Sequence, residues 1–510
     1  MTAKDNSEII GRCIGEGTPS YVSFVSKKKP RIGDYVIIDF DDKEVLGLIT
    51  KLTRGNPAIT GDIFDPETVA TIKHYEGDDF YIHGVIRILG DIKKLTIPKT
   101  PPPPGTVIKK AETKILKKIF QAEAADSVTI GHLISHPEVP VGINVNKMIS
   151  RHLAILAITG AGKSNSVAVI VDELLELGGC VIIFDMHSEY TGSKFLNGIV
   201  NNIPTNLNPR YLSFGELLIL MNISSKAYVQ ERYVRKAFKA VRKDIKESGL
   251  QISFLEALQN KLEEYQFSED IPSRDKNSVV GALNKVEDLR LKYQAILDSQ
   301  MKHILNEIKL GEVNVIDLGS VDEDMGDVIV SHVLRTVLNE RKNFKRKGYG
   351  FPYPVLAILE EAHVLAPADR STLSKYWISR IAREGRKFGL GLCLVSQRPK
   401  VIDPNALSQA NNMIILKLVE PGDQSHVQRA SETLSDDLMA QLTALNTGEA
   451  IILGMMTKVP ALVKIKKFEG SIVGQDINIV QEWAQAKQTK EKERKEKREE
   501  IDDIYGGADW

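Results

Sequence analysis

The run Ala157-Ile158-Thr159-Gly160-Ala161-Gly162-Lys163-Ser164 restricts what this chain can fold into more than any other feature. It follows the apolar stretch Leu153-Ala154-Ile155-Leu156 and precedes the helical pattern Val167 to Leu177. Strand, glycine loop and helix in that order make the phosphate-binding unit of a P-loop, which calls for an α/β sheet around it. Gly160 and Gly162 let backbone N–H groups turn inward at the positive end of the following helix. Lys163 then reaches the β- and γ-phosphates of ATP, and the Ser164 hydroxyl ligates Mg²⁺. Thr159, Ala161 and Asn165 are assigned to the same cradle. The leading glycine of the usual pattern is Ala157 here, which costs backbone freedom at the strand end but no phosphate contact. A Gly-Lys-Ser triplet alone says little; its strand and helix context carries the assignment.

A P-loop needs a second acid at the end of another buried strand, and Val355-Leu356-Ala357-Ile358-Leu359-Glu360-Glu361-Ala362-His363 supplies it. The apolar run places both carboxylates at the carboxyl edge of the sheet, where ligands of such folds bind. Glu360 is expected to hold the Mg²⁺ shell, partly through water, and Glu361 to orient the attacking water as general base. The plainer alternative, a strand ending in a solvated Glu pair, loses its appeal once a P-loop is present. Asp185 ends a third apolar run, Val181 to Phe184, and either faces the nucleotide or serves as a turn or N-cap carboxylate. Gln397 ends a fourth, Gly391 to Ser396, where an amide suits a sensor of the γ-phosphate or the water. Arg380, Arg383 and Arg386 recur every three residues and so share roughly one helix face. They form either a solvated basic stripe or an arginine finger for a neighbour's nucleotide, since guanidinium forks match phosphate oxygens.

The texture of the chain divides it. Residues 1–100 hold short β-type runs separated by Gly, Pro and Asp, with Gly33-Asp34 and Asp41-Asp42 as turn signals, and predict a small antiparallel β-barrel. The run Pro101 to Gly105 reads as a stiff connector, with residues 101–150 as linker and entry to the next unit. Residues 151–470 alternate apolar strands with helices, an α/β P-loop core whose alternation stops at about 224–310 for a helical insertion. One helix is expected over Val279 to Ile308, and a closing hairpin at Gly448–Leu453 and Ala461–Ile465. Residues 471–510 form a charged extension, whose mixed Lys/Glu run favours a solvated helix. Its terminal Ile504, Tyr505 and Trp510 are apolar enough to dock on a neighbouring subunit.

Composition sets limits. Lys+Arg and Asp+Glu both total 67, so any basic surface must be local, such as a channel. The first residues lack the apolar core of a signal peptide, and no apolar stretch is long enough for a membrane span. Cys13, Cys180 and Cys393 stand singly, which argues against a zinc site or a disulfide framework. The expected compartment is the cytoplasm.

Taken together, the motifs resemble the HerA branch of the HerA–FtsK superfamily of P-loop ATPases, of archaeal type. The matching elements are Arg151-His152, Thr159 to Ser164, Asp185-x-His187-x-Glu189-Tyr190, Leu359-Glu360-Glu361-Ala362-His363 and Ser396-Gln397-Arg398-Pro399. The resemblance implies a RecA-like core after an ATP-synthase-like barrel. It further implies a homohexamer that drives double-stranded DNA through a central channel with ATP and Mg²⁺. A NurA-type nuclease docked on the barrel, DNA end resection and recombinational repair belong to the same picture. By the family pattern Arg151 touches the nucleotide of its own subunit, and the Arg380–Arg386 stretch supplies the finger to the next. Lys194 and Lys375 stand as grips on DNA. A conjugation- or secretion-type motor shares the same core, and a nucleotide-gated binding module is the non-motor alternative.

Overall fold

The computed structural model describes residues 8–473 except 78, 123–124, 225 and 249–252, together with 479–480, 483–491 and 494. Six strands close an N-terminal barrel: β1 (Ile9–Ile14), β2 (Tyr21–Ser26), β3 (Tyr35–Phe40), β4 (Lys43–Gly55), β5 (Tyr81–Asp91) and β6 (Val107–Lys110). Their order around the barrel is β1-β2-β5-β4-β3-β6 and every pairing is antiparallel. Asp41 and Asp42 join β3 to β4 with φ of 49° and 53°, the left-handed pair that a two-residue hairpin turn demands.

The proline run does not bound the barrel. β6 lies beyond it and pairs with both β1 and β3, so the barrel closes only at Lys110. Prolines 101–104 cannot donate to a ladder, but Gly105 turns the chain back, its N–H on the Cys13 carbonyl at 2.8 Å, and four ordinary residues complete the closure. Nor does the barrel stand apart from the core. Along β3 and β4 the side chains alternate: Val36, Ile38, Val45 and Ile49 fill the barrel, while Tyr35, Ile37, Leu46 and Leu48 join the core of the larger unit. Tyr35 packs on Phe120 at 5.1 Å between ring centroids.

The larger unit is an 11-stranded sheet in the order β11-β12-β10-β13-β14-β9-β15-β16-β17-β7-β8. Its strands are β7 (Ser127–Leu133), β8 (Pro140–Asn144), β9 (Leu153–Leu156), β10 (Val181–Asp185), β11 (Val200–Ile203), β12 (Val313–Asp317), β13 (Val355–Leu359), β14 (Leu390–Ser396), β15 (Asn412–Ile415), β16 (Glu449–Leu453) and β17 (Ala461–Ile465). From β11 to β15 all neighbours are parallel; the last four strands are antiparallel. β7 and β8, in the stretch expected as linker, extend this sheet, so the core starts well before residue 151.

The insertion is three helices, Tyr228–Ser248, Phe254–Phe267 and Ser273–Lys292. The helix expected to run to Ile308 stops at Lys292. A long helix, Glu323–Lys347, crosses the sheet face after β12, capped by Asp322 at its start and by Gly348 at φ 78° at its end. Residues 483–491 are helical and exposed; Ile504, Tyr505 and Trp510 lie outside the described residues. No helix among the described residues is long and apolar enough to cross a membrane.

The shared wall yields a measurable expectation. Leu48→Ala should cost about 2–5 kcal/mol, because its fully buried side chain belongs to the common core. Lys51→Ala, exposed on the same strand, should stay within about 0.5 kcal/mol. Chemical denaturation of both variants checks the difference.

Candidate functional site

Parallel register brings five strand ends to one edge: Asp185 lies opposite Asp317, Phe184 opposite Leu359, Leu359 opposite Leu394, and Ser396 opposite Leu156. The P-loop, Glu360 and Gln397 all follow immediately. Ala157 is fully buried, donates its N–H to the Ser396 carbonyl at 3.2 Å, and lies outside the left-handed region, so alanine costs nothing there. Gly160 and Gly162 have φ of 75° and 105°. A Cβ on Gly160 would meet nothing within 4 Å, so the loop opens to solvent at its tip. The helix Lys163–Glu176 starts at Gly162 with no side chain capping its first N–H groups. Free donors at the positive end of a helix suit the phosphates of a nucleotide.

Behind this loop Lys163 is 8% exposed, its Nζ 2.6 Å from Glu361 Oε1 and 3.2 Å from Glu360 Oε2. Both carboxylates are buried. Glu361 has φ 46°, a left-handed conformation that costs of order 1–3 kcal/mol for a residue of its size and is held only by its surroundings. Its Oε1 accepts from Gln397 Nε2 at 3.1 Å, and its Oε2 lies 3.1 Å from His363 Nδ1. Gln397 Oε1 in turn accepts from the Thr159 hydroxyl. Burial works to raise Glu361, but the His363 hydrogen bond and the Lys163 charge outweigh it and hold the carboxyl at about 2. It is therefore ionised at neutral pH, as a general base must be. Burial opposes the charge on Lys163 as well, yet the two carboxylates raise its pKa above the ordinary lysine value. Glu360, the deepest group, is pushed up by burial despite Lys163. Among the described residues no cluster of three ligating side chains could hold a metal by itself. Mg²⁺ would be held here through one or two carboxylates plus phosphate oxygens, keeping several waters.

Asp185 takes the turn role rather than the nucleotide-facing one. Its carboxylate accepts the backbone N–H groups of His187, Glu189 and Tyr190 at 3.2, 3.1 and 2.8 Å. It thereby shapes a loop that delivers two groups to the site. Tyr190, fully buried, donates its phenol to Glu360 Oε1 at 2.7 Å, and Glu189 Oε2 accepts from the Ser164 hydroxyl at 2.9 Å. Neither residue was assigned a role from sequence alone; the signal was there, a carboxylate and a phenol directly after a buried strand end. Asn165 is also spent elsewhere: its amide donates to the Lys466 carbonyl at 2.9 Å and accepts the Phe468 N–H at 2.8 Å.

The arginines lie at the opposite edge. Arg151 precedes β9, about 13 Å of strand away from Ala157. It lines a groove of 760 Å³ with Lys93, Lys94, Lys118, Lys147 and Lys458. Arg380 and Arg383 fall on the helix Leu373–Glu384, but Arg386 sits in the separate turn Gly385–Phe388, so the three do not share one helix. Arg380 is tied to Glu384 at 2.8 Å and lies over Trp377. Arg383 and Arg386 are exposed and, among the described residues, form no ion pair. β14 separates them from Gln397 by about 20 Å. Lys375 is committed internally, to the Pro367 carbonyl at 2.7 Å and Asp403 at 3.0 Å, while Lys194 is exposed.

Comparison with known proteins agrees with this geometry. Residues 128–337 match the family model described as Helicase HerA, central domain, and residues 10–94 match the HAS barrel domain. The chain is 43% identical over 493 residues to the DNA double-strand break repair helicase HerA of Sulfolobus acidocaldarius, covering 94% of this chain and 97% of that one. It is 41% identical over 495 residues to the helicase of the same name from Saccharolobus solfataricus, covering 95% and 97%. Among solved structures, VirB4 of Thermoanaerobacter pseudethanolicus aligns at a TM-score of 0.50 with 13% identity, over 68% of this chain and 97% of its own, a likeness of fold.

Removing the Tyr190 phenol should loosen Glu360 without opening the core. We expect Tyr190→Phe to raise the Mg²⁺ concentration needed for half-maximal ATP turnover about 10-fold, the scale of losing a group that orients a metal-shell ligand. Titrating turnover against Mg²⁺ checks this; an unchanged requirement would show that the phenol takes no part.

Proposed function

The chain belongs to the HerA helicase family, and on that premise we propose that it is an ATP-driven translocase of double-stranded DNA, working as a homohexameric ring. It acts in the cytoplasm beside a NurA-type nuclease, docked on the barrel, to resect broken DNA ends for recombinational repair. One observation carries the motor reading: Lys163, Glu360, Glu361, Gln397 and Thr159 converge at the open P-loop from three strand ends, those of β9, β13 and β14. The kinship to DNA double-strand break repair helicases supports DNA as the track.

Bound ATP with Mg²⁺ would supply the transferable phosphoryl group and the neutralising ion. Lys163 turns its charge from the carboxylates to the phosphates. Ser164 and Glu360 face the ion, Glu360 held by Tyr190. Glu361, released from Lys163 and still ionised, accepts the proton of the attacking water. Gln397, bonded on one side to Thr159 and on the other to Glu361, orients that water and registers the γ-phosphate. Arg383 and Arg386 lie at the far edge of the sheet, away from the P-loop of their own subunit. They can reach only the nucleotide of an adjoining subunit, which is what supports a ring.

Two measurements test the proposal. Glu361→Gln should bind ATP with little change yet hydrolyse it at least about 100-fold more slowly, and linear duplex should stimulate the unaltered protein but not this variant. Near-normal turnover by Glu361→Gln would move the base elsewhere. Lys163→Ala and Arg386→Ala or Arg383→Ala subunits, each inactive alone, should regain turnover when co-assembled, because some interfaces then pair an intact P-loop with an intact finger. No recovery in rings shown by mass to be mixed would defeat the trans-acting finger.

A further inference from the structure

The bulkiest fully buried side chain described in this protein is a cation. Arg341, on the helix Glu323–Lys347, is 1% exposed. Its Nε donates to the Phe388 carbonyl at 2.7 Å and its Nη1 to the Phe351 carbonyl at 3.1 Å. Among the described residues no carboxylate pairs with it. A guanidinium that gives up its hydration for two carbonyls is a poor way to stabilise a core; an apolar side chain of similar size often does as well or better. What it does provide is geometry, because its planar donors fix the carbonyls they meet.

Phe388 closes the turn Gly385–Phe388, which carries Arg386 and directly follows the helix bearing Arg383. The guanidinium is packed against this turn: a Cβ on Gly389, at φ 71°, would come within 3.1 Å of Arg341 Nη2. Lys342, the next residue, adds a second tether, its Nζ 2.6 Å from Glu384 Oε1 and 5.3 Å from the centre of the Phe388 ring. Further up the same helix, Asp327 accepts the N–H groups of Leu373 and Ser374 at 2.9 and 2.8 Å, the first turn of the arginine-bearing helix. Asp327 and Arg341 are roughly 21 Å apart along the helix axis, so the long helix grips the shorter one at both ends. From the other side His152 Nε2 lies 3.0 Å from the Ala382 carbonyl. Burial drives the His152 pKa to about 4, so at neutral pH the ring is uncharged: Nε2 donates to Ala382 while Nδ1 accepts the Leu392 N–H at 3.0 Å.

We propose that Arg341 is a positioning residue for the arginine finger: by fixing the Phe388 carbonyl it holds Arg383 and Arg386 where an adjoining subunit's nucleotide can meet them. It touches neither nucleotide nor metal. The inference rests on the trans-acting finger proposed above, and its signature is that an Arg341 defect must behave as a finger defect, not as a P-loop defect.

The test uses the full-length ring with Arg341→Met, which keeps length and apolar bulk, and Arg341→Lys, which keeps the charge but loses the fork. Arg341→Met should assemble, bind ATP within about twofold of the unaltered protein, and lose about 10- to 100-fold in turnover, the scale of a small misplacement of a catalytic group. Arg341→Lys should recover part of that loss. Co-assembly with Lys163→Ala should restore turnover, whereas co-assembly with Arg386→Ala should not, since both partners then lack a working finger. If Arg341→Met does not fold, Lys342→Ala, which cuts the second tether near the surface, must show the same pattern of rescue with a smaller loss of about threefold. Full turnover by assembled Arg341→Met, rescue by both partners, or rescue by neither would overturn the inference. Should Arg383→Ala and Arg386→Ala themselves retain turnover, the finger reading fails first, and that outcome is distinct from a failure confined to Arg341.

Discussion

A lysine ammonium buried between two carboxylates is the interaction on which the rest of this structure depends. Burial works against the charge on Lys163, and the two carboxylates beside it hold its pKa above the ordinary lysine value. With both carboxylates ionised the trio would carry one negative charge in excess, in a space with little water to share it, and burial pushes Glu360 up in answer. That excess is tolerable only if neighbouring donors spread it. Tyr190 donates to Glu360, Gln397 donates to Glu361, and His363 stands against Glu361's other oxygen. Each of these groups arrives from a separate segment of the sheet's carboxyl edge, so the charge balance holds only while the parallel register of β9, β10, β13 and β14 holds. The buried apolar strands serve as the frame for a small electrostatic problem solved at their ends.

The same balance explains why the site is poised rather than merely occupied by side chains. Every contact of Lys163 described here is one that a polyphosphate would replace with a better match, because phosphate oxygens carry more charge and need no burial of a carbon stem. Glu361 keeps the His363 and Gln397 contacts when Lys163 turns to the phosphates. Its left-handed backbone, awkward for a glutamate, turns the side chain sharply from the strand end, and the hydrogen bonds around it hold that conformation in place.

Much of this was legible in the sequence, for a physical reason. Buried parallel strands read as unbroken apolar runs, and a polar residue that ends such a run lies at the ligand edge wherever the sheet is parallel. That logic located Lys163, Ser164, Glu360, Glu361 and Gln397. It did not say where the Asp185 carboxylate and the Asn165 amide would turn, because position at an edge does not say which partner a side chain will choose. Asp185 found three backbone N–H groups within five residues, and Asn165 found the chain returning at Lys466. Arg151 was assigned by the family pattern and not from the residues, and in this structure β9 lies between it and the P-loop. The barrel's limits were hidden because Pro101 to Pro104 looks like a boundary, and only three-dimensional pairing shows that four residues beyond it close the barrel. The shared wall of Tyr35, Ile37, Leu46 and Leu48 was likewise invisible, since β3 and β4 buried on both faces read like any core strand.

The two edges of the sheet impose the last constraint. The P-loop, Glu360, Glu361 and Gln397 sit at the carboxyl ends of the strands and Arg383 and Arg386 at the amino ends, with the length of β14 between them. No rotamer or loop movement spans that gap without breaking the sheet, so a single copy cannot bring Arg383 or Arg386 to its own P-loop. Two copies can, if the amino edge of one meets the carboxyl edge of the next. Such a contact uses different surfaces on its two sides and therefore repeats; it either closes into a ring or grows without limit. Under the proposed mechanism the need for an arginine at the transferring phosphate is thus the same requirement as the need for a closed assembly. The barrel, fastened to the core through a shared apolar wall, must travel with each subunit of that ring and cannot swing freely on a tether.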